Sequence, residues 1–224
     1  MQQQKIEAFV LRRTDYGEAD RILSVISNEG ELLSVMARGV RKPKSKLAGG
    51  IEPLALNMMS IVKGKGDMYT LTSSKMMTYH DFIITDYPRL QLAYEIMKRI
   101  DNMAHMLSDP MFFTIIKVGL ESLNLQEIDK RITEAWFWMQ FAKIAGRELN
   151  LQRDVQGAKL EQDKKYQFDL AQMAFSQNER GIFEANHLKC LKLLELKTPA
   201  FVAGIGGISA VMDNCLGVAR AVGE

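Results

Sequence analysis

The chain has 224 residues, 47% hydrophobic and 25% charged, with a net charge of +2. Those proportions are those of a soluble globular protein and exclude a disordered or low-complexity chain. Two widely spaced cysteines, Cys190 and Cys215, exclude a disulfide-dense secreted fold and point to a reducing, cytoplasmic setting. Charge is distributed unevenly: up to His80 there are 12 Lys and Arg against 8 Asp and Glu, and beyond it 17 against 19. A positive first part places any polyanion contact there. The amino terminus lacks the apolar core of a signal peptide, and the longest apolar run, Pro199 to Met212, is too short and glycine-rich to span a bilayer.

Five strands are expected in the first part. KIEAFVLRR (5–13) and RILSVIS (21–27) are rich in branched and aromatic residues, and Asn28-Glu29-Gly30 turns the chain into ELLSVMAR (31–38). LALNMMSIVKG (54–64) and MYTLTSSKM (68–76) follow, joined by a glycine-rich turn. Apolar and polar residues alternate in much of these runs, as half-buried strands require. Five short strands close most economically into a small barrel, which removes exposed edges; an OB-fold is the common form, and a small sandwich or SH3-like barrel fits the periodicity nearly as well.

After Tyr79 the period changes to three and four residues. Asp86-Tyr87-Pro88 and Ser108-Asp109-Pro110 are helix starts, a third helix begins near Glu127, and 186–196 and 208–222 are further helical runs. Residues 150–183 are polar and irregular, with strand-like YQFDL and GIF around Asn178, and read as a hairpin-like insertion. The expected architecture is α+β: an OB-fold domain over 1–80 and a helical domain over 81–224.

Between the third and fourth strands lies RGVRKPKSKLAGGIEP (38–53). Arg38, Arg41, Lys42, Lys44 and Lys46 crowd into it, and no acid stands between Glu31 and Glu52. Glycine and proline argue against a helix there. Cations concentrated on a loop hold polyanions, because each neutralised phosphate releases counterions; the plainer reading is a solvated surface loop. Lys63 and Lys65 extend the same face on this reading, with Arg12, Arg13 and Arg21 as weaker candidates, Arg21 alternatively holding the loop through an ion pair. Tyr16 and Tyr69 are the candidate base-stacking rings, their alternative being partly buried barrel residues.

Tyr16-Gly17-Glu18-Ala19-Asp20-Arg21-Ile22-Leu23, the Gly30 turn, Ala37-Arg38-Gly39-Val40-Arg41-Lys42, Ser45-Lys46 and Leu47-Ala48-Gly49 follow one another in an order that resembles the amino-terminal domain of the bacterial DNA repair protein RecO family. Residues 186–194 are similar to a helix near that family's carboxyl end. The resemblance implies an OB-fold joined to a helical domain, and a non-enzymatic recombination mediator without a cofactor. It implies binding of single- and double-stranded DNA, annealing of complementary strands, and work with RecR to load RecA. It also implies binding of the acidic tail of the single-stranded-DNA-binding protein. Many members carry a four-cysteine zinc site. Here Asp154 and Gly157 stand where its CxxC pair would fall, so zinc is not carried over.

Other signals are weaker. His187-Leu-Lys-Cys190 offers two ligands, not a metal site. Gly204-Ile-Gly206-Gly207 follows no strand of a βαβ unit and reads as a turn before the last helix. His80, His105 and His187 have no partners that suggest a catalytic triad, which favours a binding protein over an enzyme. The competing reading is a protein-interaction adaptor, with Lys143, Arg147, Lys189 and Lys192 beside an apolar groove of the helical domain. An RNA-binding barrel is the other alternative.

Overall fold

The computed structural model describes residues 3–64 and 66–224. Its chain forms two compact units, 1–124 and 125–224. The first unit holds five strands: β1 (Gln3–Tyr16), β2 (Asp20–Ser27), β3 (Leu32–Ala37), β4 (Ala55–Lys63) and β5 (Met68–Tyr79). They close into a barrel of order β1-β2-β3-β5-β4. Long β1 makes closure possible: residues 3–9 pair with β4 and residues 8–16 with β2, with an irregularity between Val10 and Arg12 where the strand bends. A short parallel ladder between β3 and β5, Ser34–Met36 against Met68–Thr70, seals the remaining edge.

Alternation decides which side chains fill the barrel. Ala8, Val10, Leu23, Val25, Val35, Ala37, Met59, Ile61 and Leu71 point inward and are buried. Phe9 has the opposite parity yet is also fully buried, because α2 (Met111–Leu123) covers it; the Phe9 and Phe113 rings lie 5.2 Å apart. A first helix, α1 (Tyr87–Ala104), precedes α2 and starts as the sequence indicates, with Asp86 accepting from Arg89 N and Pro88 in the first turn. The compact unit thus runs past the change from strand to helix at residue 80 and includes both helices. At the β2–β3 turn, Gly30 has φ +79° and packs directly on the Asp109 carbonyl, where any Cβ would collide.

Leu54, just ahead of β4, carries φ +62° without being glycine. Its carbonyl accepts from His80 N at 3.2 Å and faces His80 Nδ1 at 2.7 Å. Burial of the imidazole pushes its pKa below the ordinary 6.5, outweighing the Leu54 hydrogen bond and the nearby Glu121 and Asp81.

In the second unit, α3 (Lys130–Ile144) is buried continuously from Ile132 to Ala142, including Trp136, Phe137 and Trp138. Around it stand α4 (Ala185–Leu196), α5 (Pro199–Ala203) and α6 (Ile208–Gly223). The short α5 was not expected from the sequence. Gly207, at φ +81°, makes the turn into α6 that the Gly204–Gly207 run indicates. The insertion contains a hairpin of β6 (Tyr166–Asp169) and β7 (Ala174–Gln177). YQFDL supplies its first strand, but the second is AFSQ and not GIF. Phe183 of GIF makes only an isolated bridge to Tyr166. Phe168, Phe175 and Phe183 pack in series at 5.4 and 5.2 Å. Asp154, at the first position of the missing CxxC pair, folds the adjoining turn with its carboxylate, which accepts from Gln156 N and Ala158 N at 2.9 Å each.

Two predictions follow from these contacts. The unfolded chain protonates His80 near pH 6.5 while the folded chain resists, so unfolding takes up protons and stability falls as pH drops below about 6.5. Urea melts from pH 7.5 to 5.5 are expected to show that slope in the wild type and a flatter one in His80→Asn; equal slopes would refute it. Asp154→Ala is expected to cost about 2 kcal/mol in the same melts, with chelator having no effect on either protein. A chelator-induced loss of stability would show that the insertion depends on a metal.

Candidate nucleic-acid interface

The loop from Arg38 to Pro53 is held at both sides of its amphipathic sequence. Val40 and Ile51 are buried in the barrel cluster and Leu47 packs against it, so the loop plugs the end of the barrel with its own apolar side chains. The β1–β2 turn grips it through backbone. Gly39 N donates to Asp20 Oδ1 at 2.7 Å, and Arg41 N donates to the Ala19 carbonyl at 2.9 Å. Gly39 adopts φ +64°, a left-handed conformation that glycine takes at no steric cost, and the chain turns there towards Arg41. Inside the loop, Ser45 N donates to Lys42 O at 2.9 Å, a 3-10 turn spans Ala48–Gly50, and the Ser74 hydroxyl donates to the Gly50 carbonyl. The Tyr-Gly-Glu-Ala-Asp run therefore acts as the clamp of the basic loop.

With the apolar residues turned in, the cations stand out. Arg38, Lys42, Lys44 and Lys46 are exposed, and none of their side chains has a hydrogen bond or ion pair among the described residues. Arg41 is partly engaged, 3.5 Å from Asp15 and 3.4 Å from the Gly17 carbonyl. Arg21 is an anchor, donating to Asp15 at 2.8 Å. That hydrogen bond, helped by Arg41 and Arg13, holds the Asp15 carboxyl below its ordinary 3.8. Arg13 pairs with Glu52 at 2.9 Å, at the far root of the loop.

The remaining candidates separate from this cluster. Arg12 lies 3.1 Å from Asp101 of α1, a buried carboxylate that also accepts from Ser24 Oγ at 2.6 Å. Lys63 ends β4, whereas the basic loop enters that strand at its start, so roughly 25 Å of strand separates them. There Lys63 borders a shallow cleft of about 380 Å³ with Tyr69, Glu31 and Asp67, whose carboxylates balance its charge locally. Lys65 lies outside the described residues. Tyr16 is 55% exposed at the tip of β1, beside the clamp, while Tyr69 is half-buried against the barrel core. The outer face of β2 and β3 presents Ile22, Ser24, Ser34 and Met36 in paired register, with no aromatic ring.

On the second unit the four candidate cations fall in two places. Lys143 is 4.0 Å from Glu148, and Arg147 donates to the Gly223 carbonyl at 2.8 Å, tying down the end of α6. Lys189 and Lys192 are exposed on α4 and border a cleft of about 110 Å³ with Leu160 and Leu188. Among the described residues no three His, Cys, Asp or Glu gather as metal ligands, and no helix is long and apolar enough to cross a membrane.

A closed five-stranded barrel in the order 1-2-3-5-4, followed by helices, defines an OB-fold domain in an α+β chain. Residues 1–80 match the family model described as recombination protein O, N terminal. The chain is 31% identical over 121 residues to a DNA repair protein RecO of Heliobacterium modesticaldum, covering 54% of this chain and 44% of that protein. It is 33% identical over 121 residues to one of Acetivibrio thermocellus, covering 54% and 47%. With that of Thermobifida fusca it shares 25% over 142 residues, covering 62% and 58%. The matched part spans about half the length of these relatives.

Asp20 was part of the resembling motif, but nothing in sequence distinguished a carboxylate that caps Gly39 from one that pairs with Arg21. Asp20→Ala is expected to loosen the loop while leaving the barrel folded. Trypsin cleavage within 38–46 should accelerate about tenfold, the equivalent of one lost hydrogen bond to a charged group. Unchanged cleavage would mean that the apolar plug alone holds the loop.

Proposed function

We propose that the chain is a non-enzymatic DNA-binding recombination mediator of DNA repair, which holds single- and double-stranded DNA on the loop from Arg38 to Lys46. The observation that carries this reading is the group of unpaired cations, Arg38, Lys42, Lys44 and Lys46, on a loop whose backbone is clamped. Cations already committed to carboxylates gain little from phosphate; these four exchange only water and counterions for it. A clamped loop also loses less conformational freedom on binding than a free one.

Contacts of this kind read the backbone and not the bases. The barrel's outer β2–β3 face offers no rings to sequester bases, so bases on bound strands stay available to pair. That supports annealing of complementary strands as the activity. By its relatives' name, DNA repair is the setting. Cooperation with RecR, assistance to RecA and capture of the single-stranded-DNA-binding protein's tail belong to the same proposal, and the cytoplasm is its place. For the tail, the exposed Lys189 and Lys192 beside Leu160 and Leu188 are the better-placed cations, since Arg147 is spent on Gly223.

Lys42→Glu, Lys44→Glu and Lys46→Glu together are expected to abolish most DNA binding without changing the melting temperature. The milder triple alanine variant should lower the slope of log affinity against log salt by roughly 2 to 3. Wild-type affinity in the charge-reversed protein would refute the reading, and a strong preference for RNA over DNA of the same sequence would redirect it to an RNA-binding barrel.

A further inference from the structure

Six tyrosines occur in the sequence. Two of them, Tyr87 and Tyr94, stand 68% and 47% exposed on α1. Seven residues apart, they share one face at a spacing of about 10 Å. The exposed residues along that face are Tyr87, Gln91, Tyr94, Lys98, Asn102 and His105. No carboxylate lies on it. The two acids of α1 are paired: Glu95 with Arg99 at 2.6 Å, and buried Asp101 with Arg12, Ser24 and, at 3.9 Å, His105 at the far end of the face. The Tyr87 hydroxyl accepts from Gln91 Nε2 at 2.9 Å, which fixes the side chain and leaves the ring open to solvent.

We propose that this face of α1 is a second contact for single-stranded nucleic acid, on which bases stack against Tyr87 and Tyr94 and Lys98 meets phosphate. The inference rests on the DNA-binding reading above and supplies the paired rings that the β2–β3 face lacks. The outer face of β2 and β3 has no rings, and the barrel's exposed tyrosines, Tyr16 and Tyr79, stand singly at strand ends, whereas α1 presents two in one row with an amide and an ammonium. Rings interleaved with cations are the general means of holding unpaired bases, and stacking occupies the faces of two bases while leaving their hydrogen-bonding edges, and the rest of the strand, open to pairing. Position supports the assignment as well. Tyr79 at the end of β5 pairs with Ala55, two residues beyond the basic loop, and α1 starts eight residues after it. Basic loop and tyrosine face thus belong to one unit, and the chain passes from the barrel end beside the loop into the start of α1. Duplex DNA, with its bases stacked inside, gains nothing from the rings.

Both tyrosines are exposed, so their removal leaves the fold intact. Binding of the full chain to fluorescein-labelled oligothymidine and to a duplex is the test. Tyr87→Ala with Tyr94→Ala is expected to weaken oligothymidine binding about tenfold per ring, with duplex affinity and salt slope unchanged and with Tyr→Phe at both positions restoring the affinity. Unchanged oligothymidine affinity, or an equal loss on duplex, overturns the inference while leaving the loop's role standing. A wild type that binds neither probe removes both. A fall in sedimentation mass with DNA affinity unaltered assigns the face to a second copy of this chain and overturns the inference.

Discussion

The hydrogen bond from Gly39 N to the Asp20 carboxylate is the constraint on which the candidate interface depends. A sixteen-residue connection rich in lysine, glycine and proline would by itself be a mobile tether. Here three devices fix it: the carboxylate at one root, the Ala19–Arg41 backbone bond beside it, and the burial of Val40 and Ile51 inside the barrel. Each is local to the barrel end, and together they sort the loop's side chains by chemistry. Apolar groups go in because they complete the barrel core. Lysines go out because desolvating an unpaired ammonium would cost far more than the packing returns. The result is positive charge held in place without being neutralised by its own support.

That separation explains which cations serve structure. Arg21, Arg13 and Arg12 all meet carboxylates, Asp15, Glu52 and Asp101, and so brace the loop and α1. The family motif makes physical sense in these terms. Tyr16 to Asp20 is the turn that presents both the carboxylate, which accepts from Gly39 N, and the Ala19 carbonyl, which accepts from Arg41 N, and Gly39 is the residue whose positive φ turns the chain between them. In the second unit, the insertion uses the same principle at Asp154. One carboxylate organises a turn through backbone N–H groups where many members of the resembling family place a cysteine ligand.

Much of the barrel was legible in the sequence, because strand alternation and the Asn28-Glu29-Gly30 turn are local signals. The starts of α1 and α6 were legible for the same reason, through Asp86-Pro88 and Gly207. What escaped depends on distant partners. GIF looks like a strand, yet AFSQ pairs with β6, because the register is set by the turn between Asp169 and Ala174. Tyr69 and Tyr16 look alike in sequence, but one leans on the barrel core and the other stands in solvent. Lys63 seemed to continue the basic loop, whereas strand direction carries it to the other end of β4. The exposure of Tyr87 and Tyr94 was hidden in an apolar periodicity that reads simply as helix.

The most direct test of the central claim is the rate at which fluorescent complementary strands anneal, measured by stopped flow with and without the protein across a salt series. A backbone-held strand with free bases predicts acceleration at low salt that fades as salt rises, and its loss when Lys42, Lys44 and Lys46 are reversed in charge. Tight binding of single strands with no acceleration, or with slowed pairing, would contradict it, because the bases would then be sequestered.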